Sequence, residues 1–444
     1  MDYEGTKWRL ENESLIEGLA EISFNRPKNS TFADLKITVK MLKVGLIREG
    51  KVPHDRRVPF TPDQCVQIKS EYPNVQLVIQ PSPWRAFTDD EYRAAGITVT
   101  EDVSDCDILL GIKEVPKPDL IPGKKYLFFS HTIKKQPHNQ LLIQEMVKKN
   151  ITMIDYECLV DKNENRIIGF GRFAGIVGAY NGIMAYGLKY KMFELQPADK
   201  CHDKKELFRE LDKANLPNIK IVVTGGGRVA NGACETLGAM NVRKVTPYEF
   251  LNYTFREPVY VQLHSHDYYE SKDKAPFSTW DFHHHPETYR CNFSDPSSFA
   301  SVTDLLIHCT FWDPRADILF TKDRMRDPDF RISVIADVTC DIDGSIPSTS
   351  KASTIADKFY GYNPITEQVT APFDRDSISV MAVDNLPCEL PRDASDGFGK
   401  HLIERVLPSL FGEDKEGIIA RASILKDGKL TERFQYLKDY VGNV

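Results

Sequence analysis

The sequence predicts an α/β protein made of two Rossmann-like, doubly wound domains with a cleft between them. From about residue 40, short apolar runs alternate with helical stretches, which is the rhythm of a mainly parallel sheet covered by helices on both faces. A second series of this kind begins at IKIVVTGGG, residues 219 to 227. A chain of 444 residues is also too long for one ordinary core, so two domains are expected.

The first series contains five apolar runs that we expect to be strands. Helices are expected to begin at Thr61 with Pro62, and at Thr88. A further helical stretch, PHNQLLIQEMVKKN, lies between the last two runs. The runs are LKVGLIRE, VQLVIQ, DILLGIKE, KKYLFFSH and ITMIDYE.

The stretch FAGIVGAYNGIMAYGLKY, residues 173 to 190, is rich in small residues and carries few charges before its end. Such a pattern predicts a helix packed closely between two bodies, so we interpret it as the connector between the domains. Near Asp384 the chain is expected to return to the first domain. The predicted division is an extension at 1–38, a substrate-binding and catalytic domain at 39–175 plus 388–444, and a dinucleotide-binding domain at 176–387.

Composition excludes several classes of function. The chain is 41% hydrophobic and 27% charged, with a formal net charge of −7, which is typical of a globular protein with no basic surface for nucleic acid. Its acidic, polar start and the lack of a membrane-length apolar segment predict a cytoplasmic protein without membrane contact. Nine scattered cysteines without a CxxC pair indicate free thiols rather than disulfides or zinc.

The segment IVVTGGGRVANGACETLG joins a β-branched run to an amphipathic helix through glycines. Gly225 permits the tight turn, Gly227 lets a pyrophosphate approach the backbone, and Ala230 lets helix and strand pack. A phosphate then lies at the positive amino end of the helix. An ordinary tight turn is the alternative, but the flanking elements favour dinucleotide binding, with Arg228 and Val229 in contact.

The carboxylate that binds the ribose of NAD is expected about twenty residues further on, at the end of the second strand. That position falls near Thr246, and no acid follows until Glu249. Without a carboxylate, nothing repels a 2′-phosphate, and Arg228, Arg243 or Lys244 could attract one. NAD or NADP therefore stays open; the alternative to NADP is that Glu249 or a backbone group serves the ribose of NAD.

Five polar residues fall near predicted strand ends of the first domain: Arg57, Lys113, His131, Glu157 and Arg166. Each alone has an ordinary explanation, such as a surface charge, a solvated pair or a turn cap. Open α/β sheets, however, bind ligands at the carboxyl ends of their strands. Two guanidinium groups bind carboxylates, and an amine beside an imidazole can transfer protons, so together the set predicts an oxidoreductase site for a small acid with several carboxylates.

The motifs that carry these residues resemble the lysine-forming saccharopine dehydrogenases, including the lysine–2-oxoglutarate reductase domain of bifunctional lysine-degrading enzymes. The similarity runs from about residue 40 to the C-terminus and includes HHHPETY. RRVPFTP and DNLP are also similar, more distantly, to alanine dehydrogenases and transhydrogenase domains. The matching motifs are DRRVPFTP, LLGIKE, FFSHTIK, IDYE, FGRFAG, DVTCDIDGSI and AVDNLPCELPRDAS.

The resemblance implies that lysine and 2-oxoglutarate condense to an imine that is reduced to saccharopine, or the reverse. Lys113 and His131 would be the catalytic acid/base pair. Arg57 and Arg166 would bind substrate carboxylates, with Glu157 tuning the charge beside them. The resemblance also places three residues near the nicotinamide: Asp337, Asp384 and Leu386.

Two departures from the family pattern point to the reductase branch with NADPH. The glycine turn lacks the acid of the NAD-using enzymes, and the long segment 254–295 resembles the reductases more than the compact enzymes. Because the chain stops after LTERFQYLKDYVGNV, a free-standing enzyme is expected rather than a bifunctional one.

Other functions stay open at this point. One is an alanine-dehydrogenase-like reductive amination, and another is a non-catalytic NAD(P)H-binding sensor. The expected partners are small-molecule substrates, with no nucleic acid and no membrane, while a homo-oligomer stays open. No metal is expected, because the consecutive histidines 283–285 cannot all face one ion; with His264 and His266, they are interpreted as part of an insertion that covers the cleft or forms an oligomer face.

Overall fold

The structure is a computed structural model in which residues 41–442 are described. The predicted extension, residues 1–38, lies outside the described residues. The strands in chain order are β1 (Leu42–Leu46), β2 (Val75–Ile79), β3 (Thr98–Val99), β4 (Ile108–Leu110), β5 (Lys125–Phe128), β6 (Thr152–Asp155), β7 (Lys220–Thr224), β8 (Arg243–Lys244), β9 (Val259–Leu263), β10 (Tyr269–Ser271), β11 (Tyr289–Cys291), β12 (Leu305–His308), β13 (Val334–Asp337), β14 (Phe359–Asn363), β15 (Gln368–Thr370), β16 (Ile378–Met381), β17 (Ser423–Lys426) and β18 (Lys429–Leu430).

The helices begin where the sequence offers suitable caps. Thr61 and Thr88 each accept a hydrogen bond from a first-turn amide and form a capping box, so the first two helices start where they were expected. The α-helices are α1 (Pro62–Glu71), α2 (Asp89–Ala94), α3 (Pro137–Lys148), α4 (Gly171–Tyr190), α5 (Lys204–Glu210), α6 (Arg228–Ala239), α7 (Pro247–Asn252), α8 (Ser265–Tyr268), α9 (Thr279–His284), α10 (Pro391–Arg405), α11 (Leu407–Phe411), α12 (Ile418–Ala422) and α13 (Lys438–Val441).

The described chain divides into two compact units. The first contains the residues up to Gly169 and those from Ser395 onward, and the second contains Phe170–Ala394. Helix α4, which the predicted boundary at residue 175 would divide, therefore lies wholly in the second unit.

The first unit contains an eight-stranded sheet in the order β18-β17-β6-β5-β4-β1-β2-β3. Strands β1 to β6 run parallel, and β17 joins β6 antiparallel with β18 outside it. The central strands β4 and β5 are apolar and buried, as expected of strands covered on both faces. The strand order reverses between β1 and β4, which makes the carboxyl ends of these two strands the natural place for a ligand.

The second unit contains an eight-stranded sheet in the order β15-β14-β16-β13-β12-β7-β9-β8. Its strands from β8 across to β16 run parallel, and β14 and β15 complete it in antiparallel orientation. Here the order reverses between β7 and β12. A separate two-stranded sheet, β10 with β11, lies in the insertion after β9.

Helix α4 packs against α6 through two glycines. A Cβ atom at Gly175 would lie 1.8 Å from the carbonyl oxygen of Val229, and one at Gly232 would lie 2.0 Å from that of Arg172. At Gly182 an added Cβ would lie 2.9 Å from Ala336 on β13. The small residues noted in the sequence therefore let this helix fit closely between α6 and the sheet of its own unit.

Helix α4 is also the most apolar long helix. Within residues 41–442, nevertheless, no helix combines the length and the hydropathy that a membrane crossing requires. The predicted fold class is confirmed: the protein has an α/β fold with two mainly parallel, doubly wound sheets.

Candidate active site

In the first unit, polar residues follow four neighbouring strands, β1, β4, β5 and β6. Backbone hydrogen bonds continue beyond the strands themselves, from the Ile47 amide to the Leu110 carbonyl and from the Phe129 amide to the Ile112 carbonyl, both 2.9 Å. The segments that carry Lys113 and His131 are therefore held side by side at the carboxyl edge of the sheet.

Lys113 follows β4 and is partly buried. Burial lowers the pKa of its amine, and the positive charge of Arg57 lowers it further, while Asp55 and Glu114 act in the opposite direction. Glu114, the next residue, forms an ion pair with Lys51 at 3.0 Å. Desolvation and a nearby cation thus move Lys113 toward the neutral amine that can accept a proton.

Glu49, which follows β1, anchors the segment that carries Lys113. Its two carboxylate oxygens accept hydrogen bonds from the amides of Ile112, at 2.6 Å, and Lys113, at 2.9 Å. Although the residue keeps some exposed surface, desolvation raises the pKa of its carboxyl group to about 8, and Asp55 adds to that shift. Sequence reasoning missed Glu49; the available signal was its position directly after a strand, in LIRE.

Arg57 is almost fully buried and forms an ion pair with Asp55, which is equally buried. The Arg57 Nε atom donates to Asp55 Oδ1 at 2.9 Å, and a second bond joins Nη2 to Oδ2. A buried guanidinium with a carboxylate partner is a fixed positive charge. Asp55 is the second residue that sequence reasoning missed, and a role of Arg57 in binding a substrate carboxylate stays a prediction.

His131 lies just beyond the end of β5, and its backbone adopts the left-handed conformation, with a φ angle of 53°. Its ring lies nearly parallel to that of Phe129, with centroids 6.3 Å apart, and its Nδ1 atom is 3.6 Å from Glu157 Oε2. That distance exceeds a direct hydrogen bond, so the carboxylate acts on the imidazole mainly through its charge.

Glu157 lies close to the side chains of three basic residues. Its oxygens lie 3.6 Å from Arg166 Nη2 and 3.9 Å from Lys134 Nζ, in addition to His131. His131 first, and then Arg166 and Lys134, lower the pKa of Glu157 to about 2 against the opposing effect of burial. The carboxylate is therefore charged at every pH at which the protein would work.

Arg166 is the most accessible of the predicted site residues in this unit. Its side chain is 40% exposed, and its guanidinium carbon lies 5.9 Å from the centre of the Phe129 ring. The cation–π contact and Glu157 orient the group without burying it. An exposed, oriented guanidinium is suited to bind a carboxylate from solution.

Asp155 is a third residue that sequence reasoning missed, at the end of β6. This buried carboxylate accepts hydrogen bonds from the amides of Ser130, at 3.0 Å, and Glu157, at 2.7 Å. It therefore fixes the chain after β5 relative to the chain after β6, which sets the spacing of His131 and Glu157. IDYE in the sequence contains Asp155, but a buried positioning role has no signature there.

In the second unit, a glycine turn joins β7 to α6. Gly225 has a φ of 98°, a conformation that glycine adopts without strain. Gly227 precedes the first residue of the helix and, lacking a side chain, cannot cap its first amides, while a Cβ there would meet no atom within 4 Å. Ala230 is buried under the turn. Open space above bare amides at a helix amino end fits a dinucleotide pyrophosphate.

The residues beside the turn differ in exposure. Arg228 is exposed and Val229 is partly buried; a Cβ at Gly171 would lie 3.2 Å from the Val229 side chain. Val229 therefore packs toward α4, whereas Arg228 faces solvent.

Thr246 does not occupy the place expected for it. The strand before it, β8, pairs with β9, and it is β9 that lies next to β7. Thr246 instead caps α7, accepting from the Glu249 amide at 3.2 Å while its own amide donates to the Glu249 carboxylate at 2.9 Å. Thr246 does follow the second strand of this unit in chain order, but that strand, β8, is the outermost one and does not lie next to β7. A contact of Thr246 with the cofactor stays a prediction.

The other predicted cofactor contacts lie after β13 and β16. Asp337 is buried and accepts hydrogen bonds from the hydroxyls of Thr339, at 2.7 Å, and Thr349, at 2.6 Å. Asp384 is exposed, and Leu386 is buried. The contacts of Asp337 are those of a carboxylate that organises its loops, and a role beside the nicotinamide stays a prediction for all three.

Comparisons with known proteins agree with this architecture. Residues 45–177 match the family described as alanine dehydrogenase/PNT, N-terminal domain. The alpha-aminoadipic semialdehyde synthase of Arabidopsis thaliana is 28% identical over 447 residues, covering 89% of this chain and 41% of that protein. A saccharopine dehydrogenase (NAD(+), L-lysine-forming) of Candida glabrata is 25% identical over 384 residues, covering 82% of this chain and 90% of that protein.

Among solved structures, an L-alanine dehydrogenase superposes with a TM-score of 0.58 at 16% identity, covering 90% of this chain and all of that one. At this identity the likeness confirms the fold alone. The chain spans less than half the length of the Arabidopsis synthase and of its mouse counterpart, of which it covers 47%.

Proposed function

We propose that the chain is a member of the family of lysine-forming saccharopine dehydrogenases and lysine–2-oxoglutarate reductases, within the alanine dehydrogenase and transhydrogenase-like proteins, and that it is an NAD(P)-dependent oxidoreductase of lysine metabolism. The similarity to the relatives named above supports this proposal. It interconverts L-lysine, 2-oxoglutarate and NAD(P)H with saccharopine and NAD(P)+. The bond formed joins the ε-nitrogen of lysine to the ketone carbon of 2-oxoglutarate, and water leaves.

The observation that carries this proposal is the pair Lys113 and His131 at the ends of adjacent parallel strands, one with a lowered amine pKa and the other beside an ionised carboxylate. Imine formation needs a base that takes a proton from the lysine ε-ammonium group. It also needs an acid that protonates the carbinolamine oxygen so that water can leave. An amine and an imidazole are suited to these two roles.

We assign the first role to Lys113 and the second to His131. Lys113 is favoured as the base because burial and Arg57 both destabilise its charged form. His131 is assigned the role of the acid because an imidazole can donate a proton and its Nδ1 atom lies 3.6 Å from the Glu157 carboxylate, which orients the ring. Glu49 accepts a hydrogen bond from the Lys113 backbone amide, which fixes the position from which the lysine side chain extends.

The substrates carry several carboxylates, which require positive groups. Arg166 supports this role because it is exposed and oriented. Arg57 contributes a second positive charge, and a carboxylate that binds there has to share the guanidinium with Asp55. The negative charge of Glu157 offsets part of the positive charge of the site. It thereby reduces the repulsion between the basic side chains of Lys113, His131 and Arg166.

The glycine turn supports nicotinamide dinucleotide binding through Gly225, Gly227, Arg228 and Val229. When bound, the cofactor supplies the hydride that reduces the imine. We further propose that NADPH is preferred over NADH. Glu249, the acid considered for the ribose of NAD, is engaged in the cap of α7, and the exposed Arg228 adds positive charge beside the turn.

The experiment that tests the function is NADPH and NADH oxidation with lysine plus 2-oxoglutarate, beside the same assay with pyruvate plus ammonia. We expect turnover with the first pair alone, faster with NADPH, and saccharopine as the product by mass spectrometry. Turnover with the second pair alone would overturn the proposal in favour of alanine-dehydrogenase-like chemistry, and nucleotide binding without turnover in either assay would overturn it in favour of a sensor.

A further inference from the structure

The strand that neighbours the glycine-turn strand is β9. The two strands run parallel with the pairing Lys220–Val259 through Thr224–Leu263. The chain therefore leaves β7 into the glycine turn and leaves β9 into residues 264–266 at the same level of the same edge. In dinucleotide folds, the end of the strand next to the glycine strand is where the adenosine ribose is recognised.

His264, the first residue after β9, lies directly against the glycine turn. A Cβ atom at Gly226 would lie 2.5 Å from both Nδ1 and Cε1 of the imidazole ring, so only a residue without a side chain leaves room for His264 there. Gln262 reinforces the contact: its Nε2 donates to the Gly225 carbonyl at 3.0 Å and to Asn231 Oδ1 at 3.2 Å. The position of His264 is therefore tied to the turn that fits the pyrophosphate.

His266 extends this surface. Its ring is parallel to that of His264, with an interplanar angle of 4° and centroids 5.5 Å apart, and the ring of Phe277 lies edge-on beside it, with centroids 6.0 Å apart. Both histidines are exposed, and Ser265 between them is partly exposed. Two stacked imidazoles and a hydroxyl thus stand as hydrogen-bond donors at the end of β9.

Two basic residues and one acid belong to the segments that adjoin these histidines. Lys244 on β8 bonds to the Gln262 side chain at 2.8 Å, and Arg228 begins α6 on the other side of the turn. The nearest acid, Asp267, accepts from the His264 amide at 2.7 Å and lies 3.6 Å from His266 Nε2. The carboxylate is therefore engaged with the histidine segment itself.

We propose that His264, Ser265 and His266 form the binding site for the 2′-phosphate of a 2′-phosphorylated adenosine cofactor and thereby set the choice of NADPH over NADH. The inference rests on the part of the proposed function that concerns the dinucleotide. A phosphate at this place accepts hydrogen bonds from imidazole N–H and hydroxyl groups, and Lys244 and Arg228 favour its charge. The ribose of NAD lacks the group that these donors bind.

The test measures binding without turnover, by calorimetry with adenosine 2′,5′-bisphosphate and with 5′-AMP. We expect the wild-type protein to bind the bisphosphate at least about tenfold more tightly, since hydrogen bonds to a charged phosphate are stronger than those between neutral groups. The double variant His264→Ala/His266→Ala should lose that preference and keep its affinity for 5′-AMP, which also shows that its nucleotide unit is folded.

The matched control is His283→Ala/His285→Ala, which removes two exposed imidazoles from the same insertion and should leave both affinities unchanged. Equal wild-type affinity for the two nucleotides, or the same preference in the His264/His266 variant, would overturn the inference. Tighter 5′-AMP binding that is lost in Asp267→Asn would overturn it in favour of a carboxylate that binds the ribose of NAD. Because no substrate is present, these results are independent of which reaction the protein catalyses.

Discussion

The carboxyl edges of the two sheets share a topology and differ in chemistry. At the edge of the first sheet, the pKa values of ionisable groups are shifted: the pKa of Glu49 is raised to about 8 and that of Glu157 is lowered to about 2. At the second, the glycine turn offers backbone amides, and the buried His308 is held between the hydroxyls of Thr224 and Ser345 at 2.9 Å each. Burial lowers the pKa of His308, which favours its neutral form.

This difference matches the two roles that we propose for the two edges. Proton transfer needs side chains whose charge can change, so the first edge gathers them and tunes them with neighbours. Binding a pyrophosphate needs fixed donors, and the glycine turn of the second edge offers backbone amides, whose state does not change with pH. The following experiments separate the two edges, beginning with the largest effect.

Replacing Lys113 with methionine should abolish the reaction and leave nucleotide binding intact. The variant keeps the apolar stem of the side chain but removes the amine, so general base catalysis is lost. We expect kcat/KM to fall by about 10³-fold, within the range for a positioned acid or base. Steady-state kinetics measures the loss, and calorimetric titration with 5′-AMP measures what remains.

Lys117→Met is the matched control, because it removes an exposed amine only four residues away and should keep wild-type kinetics. If Lys113→Met kept most of its activity, or if it weakened nucleotide binding as strongly as turnover, the division of labour between the two edges would be wrong.

Gly232→Ala should damage the second unit instead. The added Cβ would lie 2.0 Å from the Arg172 carbonyl oxygen, so α6 has to move away from α4 and carry the glycine turn with it. We expect a loss of about 3 kcal/mol in the free energy of unfolding and weaker binding of 5′-AMP. Urea denaturation measures the first and calorimetry the second.

Gly238→Ala, in the same helix, provides the control. An added Cβ at Gly238 would meet no atom within 4 Å, so alanine should stabilise the helix by about 0.5–1 kcal/mol through its higher helix propensity. Opposite signs for the two substitutions would attribute the effect to the contact with α4, whereas equal stability of both variants would contradict the close packing.

Much of this arrangement is readable from the sequence, because it depends on local patterns. The alternation of apolar runs and helices predicts the doubly wound sheets, and Thr61 and Thr88 predict helix starts through their capping chemistry. Lys113 and His131 are predictable as strand-end residues, since a strand turns polar where it leaves the sheet.

What the sequence could not reveal depends on which strands become neighbours. Thr246 was placed at the ribose by counting along the chain, but β9 passes between β7 and β8, so the residues at that edge come from after β9. Asp155 likewise joins the chain after β5 to the chain after β6, and a buried carboxylate that accepts from amides has no local signature. Strand order is a tertiary property that spacing alone does not determine.

The smallest expected effect concerns Glu49 and the pH dependence of stability. Its pKa is about 8 in the folded protein and has an ordinary value of 4.5, so the folded state holds a proton that the unfolded chain releases. The stabilisation is complete below pH 4.5 and is lost as the pH rises through 8. We expect the wild-type protein to lose about 2 kcal/mol between pH 6 and pH 8 from this group, and Glu49→Gln to lack that loss.

Glu157→Gln is the control for this measurement. Because the pKa of Glu157 is lowered to about 2, its stabilisation is present above pH 4.5 and disappears only as the pH falls toward 2. Between pH 6 and pH 8 this substitution should therefore change the stability without changing its slope against pH. Urea midpoints of the three proteins, measured at several pH values, test this expectation. If stability changed equally with pH in the wild type and in Glu49→Gln, Glu49 would be ionised in the folded state. It would then hold the Lys113 backbone as a carboxylate anion.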